Sequence, residues 1–448
     1  MKIVLVQPRG RSVYDVCPEP PLGLAYLAAA LLEYKNDLDI EIIDGFLFDS
    51  DEHYYKKISE IDADVVGVTT ILTLLPEALK IPALVKNRNA EFIMGGPGAS
   101  NLTSSRIYES GYSIICFGEG ERTIVELIKA FEDSSPLKAV HGISFQQGGK
   151  EVKTPPRAPI ENLDEIPFPA RDLLDMKKYL SIWKEKMGVA ATQIISSRGC
   201  PFSCRFCSKE VFGRRARYAS PARAVEEMGL IYDRYKAEII FFANDLFTAN
   251  KKWVIDFCDA MNERLPGKMW GAQARVGTVD LEMLSRMRRA GCTELMFGVE
   301  SGSQRILDFL GKGLTVEEIR RTFKLVNEAG INAGIYLIVG VPGERQEDID
   351  ETKRLIAELK PKAIDIYFLT PIPGTEIFEM TKSMIRDDAE FFNFNESFES
   401  VYRKEVFEVE PREMRREIMD FFSVTTNNKR NALDRPFIYK YDETVEAN

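Results

Sequence analysis

Short apolar runs alternate along this chain with stretches of helical period. In the first third, strand-like runs at residues 3–6, 40–43, 65–69, 92–94 and 114–117 are separated by helix-like patterns at 22–34, 54–60, 76–86, 104–109 and 122–131. Apolar strands divided by helices predict a doubly wound parallel sheet over residues 1–150. Ligands of such sheets bind beyond the carboxyl ends of the strands. Small residues crowd those ends: Pro21, Leu22 and Gly23 after the first strand, Thr69 and Thr70 after the third, Gly95, Gly96 and Pro97 after the fourth, and Gly118, Glu119, Gly120 and Glu121 after the fifth. They let backbone approach a large flat or phosphate-bearing ligand, although glycines also simply make turns.

Between residues 142 and 170 the pattern changes. Residues 142–152 read as a hairpin turning at Gly148-Gly149, and proline-rich sequence follows, so 151–185 is expected to be a linker. The alternation then resumes, with strands expected at 193–197, 238–243, 269–275, 293–299, 332–338 and 363–369. Helices are expected at 221–235, 250–264, 280–290, 303–329 (broken at Gly311-Lys312-Gly313) and 345–359. Six strand–helix units are too few for a closed eight-stranded barrel. An open partial (β/α)6 barrel is therefore expected over 186–380, with its chemistry at the carboxyl ends of the strands. Residues 381–448 read as a small helical C-terminal region, with an acidic aromatic run at 387–398, a helix at 411–422 and a charged tail.

Composition narrows the function. A chain of 448 residues with 45% hydrophobic content can bury two sizeable cores. Its net charge of -10 argues against a general nucleic-acid binder. The opening apolar run is too short for a signal peptide, and Leu22–Leu32 is too short to span a bilayer, so a protein without a membrane span is expected. Four of the seven cysteines, Cys17, Cys116, Cys258 and Cys292, are scattered, which is not a secreted disulfide framework and points to a reducing cytoplasm. Cys17 alone among them sits in the loop after the first strand, where the two predicted domains are expected to face each other, and is a candidate catalytic thiol.

The other three cysteines, Cys200, Cys204 and Cys207, fall within eight residues directly after the first barrel strand. Three soft ligands on one loop point to a metal site, against the alternatives of a disulfide pair or plain packing. Structural zinc wants four protein ligands, and the only histidines, His53 and His141, lie far away in the chain. An iron–sulfur cube with three cysteine-held irons and one open iron fits better.

Cys200-x3-Cys204-x2-Cys207, with Phe206 before the last cysteine, resembles the signature of the radical S-adenosylmethionine (SAM) enzymes. Asn244-Asp245, Gln273-Ala274-Arg275, Gly298-Val299-Glu300-Ser301, Ile338 to Gly343 and Pro371 to Thr375 resemble the strand-end motifs of that family. Likewise, Pro20 to Ala28, Gly95-Gly96-Pro97 and Gly118-Glu119-Gly120-Glu121 resemble the cobalamin-binding domain fused to many of its members. The resemblance implies a [4Fe-4S] cluster on the three cysteines, with SAM on the open iron among Phe206, Asn244, Asp245, Arg275, Glu300, Ser301, Ile338 and Pro373. It implies cobalamin above the strand ends of a Rossmann-like N-terminal domain. The mutase motif that supplies a histidine beneath cobalt is missing, since Asp51-Glu52-His53 lacks its glycine and follows the wrong strand, so cobalamin is expected without a histidine lower ligand. Phe206 is expected beside the adenine, Glu300 on the ribose hydroxyls or ammonium, and Arg275 on the methionyl carboxylate. Alternatively, Phe206 packs under the loop, and Glu300 and Arg275 pair with each other or with Asp245.

The activity implied is methylation of an unactivated carbon through methylcobalamin and a 5′-deoxyadenosyl radical, on a small metabolite, lipid or tetrapyrrole. The alternatives are a radical oxidation, cyclisation or rearrangement, or an iron–sulfur sensor or electron carrier. A monomer served by a flavodoxin or ferredoxin is expected.

Overall fold

The computed structural model describes residues 1–10, 17–87, 89–101, 104–386 and 400–425; the run at 387–398 and nearly all of the charged tail lie outside them. Five parallel strands open the fold: β1 (Lys2–Gln7), β2 (Asp39–Asp44), β3 (Val65–Thr69), β4 (Glu91–Gly95) and β5 (Ile114–Cys116). Helices α1 (Leu22–Tyr34), α2 (Asp51–Ser59), α3 (Leu75–Leu84), α4 (Ser104–Glu109) and α5 (Glu121–Asp133) alternate with them. The order β2-β1-β3-β4-β5 reverses between β1 and β3, so this is the doubly wound sheet expected, with its crevice at that switch point. The hairpin β6 (Ile143–Gln147) and β7 (Lys150–Lys153) is not a free-standing connection. It pairs antiparallel with β5 and extends the sheet to seven strands. Ile143 and Phe145 bury there, covering an edge that three-residue β5 would leave open.

Helix α1 is apolar on nearly every side, which marks a helix buried all round. Leu24, Ala28 and Leu31 meet the sheet, while Leu22 and Tyr26 meet Ile160, Leu163 and Ile166 of the connecting segment. Within that segment α6 (Met176–Met187) ties back to the sheet, because the buried Tyr179 hydroxyl donates to the Asp44 carboxylate.

A second sheet has six parallel strands: β8 (Ala191–Ile194), β11 (Ile239–Phe242), β12 (Met269–Arg275), β13 (Cys292–Glu300), β14 (Asn332–Val339) and β15 (Ala363–Phe368), neighbours in that order. Its helices are α7 (Pro221–Leu230), α8 (Lys251–Arg264), α9 (Leu281–Arg289), α10 (Gln304–Phe309), α11 (Val316–Glu328) and α12 (Gln346–Leu359). This is the open partial barrel expected. The stretch 303–329 divides as its Gly-Lys-Gly break predicts, while the helix expected over 221–235 finishes as a π-turn at Ile231–Tyr235. Register sorts the residues by face. Phe242, Ala272, Ala274, Leu295, Phe297, Ile335, Leu337, Ile364 and Ile366 join one core beneath the helices. The alternate residues, among them Gln193, Phe241, Gln273, Tyr336 and Asp365, line the concave face.

Two further short segments matter: α13 (Glu376–Thr381) follows β15, and the last helix, α14 (Pro411–Thr425), packs on α12 and β14. Among the described residues no helix is long and apolar enough to cross a membrane.

Candidate functional site

The strand expected at 193–197 is two pieces. β8 stops at Ile194, and β9 (Ser197–Arg198) pairs instead with β10 (Arg217–Tyr218), Arg198 opposite Arg217. The eighteen or so residues between them form a loop that carries all three clustered cysteines. Its base is gripped from the first sheet. Glu119 accepts from the Arg217 guanidinium and from the Ile160 amide (2.7 Å) and lies 3.7 Å from Arg198, while Glu121 accepts from Arg198. All four side chains are almost wholly buried. The Gly-Glu-Gly-Glu turn therefore places its carboxylates on the barrel's arginines. Gly118 is left open at the strand end, while Gly120 lies against Leu27 of α1.

The loop's entry is fixed by Asn244 and Asp245. The Asn244 carbonyl accepts from the Ser196 and Ser197 amides (2.8 and 3.1 Å), and the Asp245 carboxylate accepts from the Gly199 amide (2.6 Å). Burial raises the Asp245 carboxyl above its ordinary value, opposed by that amide and by Lys209. Lys209 closes the loop from within, donating to the carbonyls of Cys200 (2.9 Å) and Phe202.

Facing the cysteines are two cations. Arg275, at the end of β12, stacks 4.0 Å over Phe202 and sets a guanidinium nitrogen 3.5 Å from the Cys204 sulfur; its other arm donates to the Lys312 carbonyl. Glu300 pairs with neither Arg275 nor Asp245. Its carboxylate takes a 2.6 Å bond from Lys312, and both are buried. Glu300 sits at a register shift in β13 with φ +67°, a left-handed backbone that costs a non-glycine residue of order 1 kcal/mol. A Cβ on Gly298 would lie 2.6 Å from the Glu300 carboxylate and 2.7 Å from the Lys312 ammonium, so that glycine makes room for the pair. Lys312 stands 5.8 Å from the Phe206 ring, and Phe206 packs against the apolar group that includes Ile338. Ser301 is turned inward, accepting from the Ser303 amide. Pro373 lies in a loop whose Ile372 packs on the core of the first sheet.

Three thiols on a pinned loop, with a guanidinium at one sulfur, fit a cluster bound through three cysteines. Among the described residues no three His, Cys, Asp or Glu side chains close around a single metal ion. At the crevice of the first sheet, a Cβ on Gly23 or Gly118 would meet nothing within 4 Å, while Gly96, at φ +87°, lets Thr70 and Pro97 turn tightly. Thr70 itself is buried in that turn. The open space at Gly23 and Gly118 fits a bulky ligand. His53 is exposed on α2, bordering a surface cleft of about 460 Å³ beside β2, away from that crevice. Cys17 packs against the group of Trp183, Met187, Ala191 and Ile239 near the amino ends of the barrel strands, the end opposite the cysteine loop. Cys258 and Cys292 belong to the barrel core, and burial raises both thiols. Lys312, Arg198 and Arg217 are the site residues that sequence reading did not single out. Gly311-Lys312-Gly313 was legible only as a helix break.

Two family models match: the radical SAM superfamily over residues 194–356 and the B12-binding domain over 16–128. An uncharacterised methyltransferase of Pyrococcus horikoshii, PH0819, is 35% identical over 387 residues, 85% of this chain and 83% of that protein. The anaerobic magnesium-protoporphyrin IX monomethyl ester cyclase of Cereibacter sphaeroides is 31% identical over 88% of this chain and 65% of its own length. Among solved structures, the radical SAM methyltransferase TsrM of Kitasatospora setae, with cobalamin and a [4Fe-4S] cluster bound, superposes with a TM-score of 0.70. It shares 18% identity and covers 86% of this chain and 78% of that one, a likeness of fold. The chain belongs to the radical SAM enzymes that carry an N-terminal B12-binding domain. A [4Fe-4S] cluster, SAM and cobalamin are its cofactors.

Proposed function

We propose that the protein transfers a methyl group from SAM to an unactivated carbon of a small molecule. The observation that carries this reading is the grip of Glu119 and Glu121 on Arg198 and Arg217, which turns the strand ends of the B12-binding fold toward the base of the cysteine loop. When bound, the cluster supplies an electron for SAM cleavage and cobalamin serves as the methyl carrier. Cys200, Cys204 and Cys207 hold the cluster. The Arg275 guanidinium, 3.5 Å from the Cys204 sulfur, stabilises thiolate charge there. Lys312 and Glu300 present a buried, oriented charge pair beside Phe206, suited to the zwitterionic methionyl end of SAM, with the Phe206 ring offered to its adenine. A one-electron donor such as a flavodoxin or ferredoxin completes the system.

The test is anaerobic turnover with methyl-labelled SAM after cluster and cobalamin reconstitution. Label in a product heavier by one methyl group is expected. A substrate consumed without label transfer would instead mean a radical cyclisation or oxidation, the direction in which the cyclase relative points. Cys204→Ala is expected to abolish release of 5′-deoxyadenosine, measured by mass spectrometry.

A further inference from the structure

A parallel sheet inside an α/β protein is normally packed on both faces. Here the concave face is not filled. Gln273, in the interior strand β12, is exposed, as is Tyr367 on β15 (41%), although helices cover the opposite face. Residues 18–20 border the hollow. Trp183 donates to the Pro18 carbonyl (3.3 Å) and Gln193 to the Pro20 carbonyl (3.4 Å), which pins residues 18–20 along the β8 edge. Glu19, between those anchors, bonds Gln193 and acts electrostatically on Tyr336 of β14, on the far side of the hollow. It is reached by water yet enclosed by protein, as a residue lining an interior chamber must be.

The chamber's polar groups share one character. Tyr336 lies 3.4 Å from Gln273. Opposite Tyr336 in the register, Asp365 is 3% exposed and neither of its carboxylate oxygens has a hydrogen-bond partner. A buried carboxyl without a partner is rare, and it calls for a ligand that supplies one. Glu294 adds a third acid on the same face. The cations nearby are committed elsewhere: Arg275 to Phe202 and the cysteine loop, Lys312 to Glu300. Arg415 of α14 exerts an opposing pull on Asp365. Phe241 and the Tyr336–Tyr367 pair, with rings 6.1 Å apart, offer flat apolar surface.

Building on the catalytic reading above, we infer that this chamber is the substrate site and that Glu19 and Asp365 select a ring-bearing molecule with a cationic nitrogen over an anionic one. A cation bonded by Glu19 and Asp365 would give Asp365 the hydrogen-bond partner it lacks and Glu19 a charged one. A phosphate or carboxylate in the same place would meet acids on two strands and the loop.

The test is equilibrium binding to the reconstituted holoprotein at about pH 8, above the Glu19 carboxyl, with three probes of one shape: 2-phenylethylamine, 2-phenylethanol and 3-phenylpropionate. The amine is expected to bind at least about tenfold tighter than the acid, with the alcohol between them. In the Glu19→Gln/Asp365→Asn double variant, verified as folded by its thermal melt, that ratio should fall to about one. Each single variant should reduce it in part. Equal or tighter binding of the acid, no binding by any probe, or an undiminished ratio in the double variant would overturn the assignment. Because the measurement needs no turnover, a protein that keeps the preference but transfers no methyl label would refute the catalytic reading and leave the chamber standing.

Discussion

Gly199 holds φ +85° at the mouth of the cysteine loop, where a Cβ would collide with the Arg215 carbonyl across the loop's neck. Both the backbone conformation and the space demand glycine. Gly199→Ala should cost about 1–3 kcal/mol and misplace Cys200. Iron and sulfide content after reconstitution is expected to drop well below that of the native protein, and full loading would exclude this role. Glu19 makes a different prediction. Burial pushes its carboxyl up to about 7, against the lowering effect of Gln193. A folded state that keeps a proton to higher pH gains stability that is complete below 4.5 and is lost as pH rises toward 7. Glu19→Gln removes that titration. The melting temperature of the variant minus that of the native protein should therefore rise across this interval and level off above it. A flat difference would show that Glu19 is ordinary.

At the scale of elements, the two-residue ladder of β9 and β10 is too short to hold a loop alone. The buried ion pairs from the β5–α5 turn hold it. Removing one partner from such a network leaves a buried charge uncompensated, which costs about 3–5 kcal/mol. Glu119→Gln should lower the urea midpoint accordingly and slow SAM cleavage as well, because the cysteine loop rests on Arg217. A loss below about 1 kcal/mol would mean that the network is solvated. The element pattern itself was legible in the chain: all six barrel strands and the five parallel strands of the first sheet stand within a few residues of their expected places. The hairpin's attachment to β5 was not legible, because edge pairing is chosen by which strand lies bare in the fold. Nor was the role of Glu119. It meets Arg217 across 98 positions of sequence, and a turn that reads as Gly-Glu-Gly-Glu carries no mark of that partner.

For the whole molecule, the two sheets are joined by α1, the connecting segment and the loop carrying Ile372, so both candidate cofactor faces belong to one body of contacts. Reconstituted protein should retain corrin absorption bands through gel filtration. His53→Ala should leave them unchanged, since His53 is exposed on α2 and away from the crevice. Loss of the bands in that variant would place histidine beneath cobalt after all.

What the sequence determined by itself was local: alternation of apolar runs, breaks at glycine, and three thiols at a spacing that leaves one iron of a cube open. These follow from backbone geometry and ligand chemistry over a handful of residues, so they are written in the chain. Only the tertiary structure decided that Glu300 pairs with Lys312, that Arg275 turns to the Cys204 sulfur, and that Glu19 reaches from one domain into the hollow of the other. Those pairings are set by burial and by charge brought together over long separations, and neither exists until the two sheets are packed.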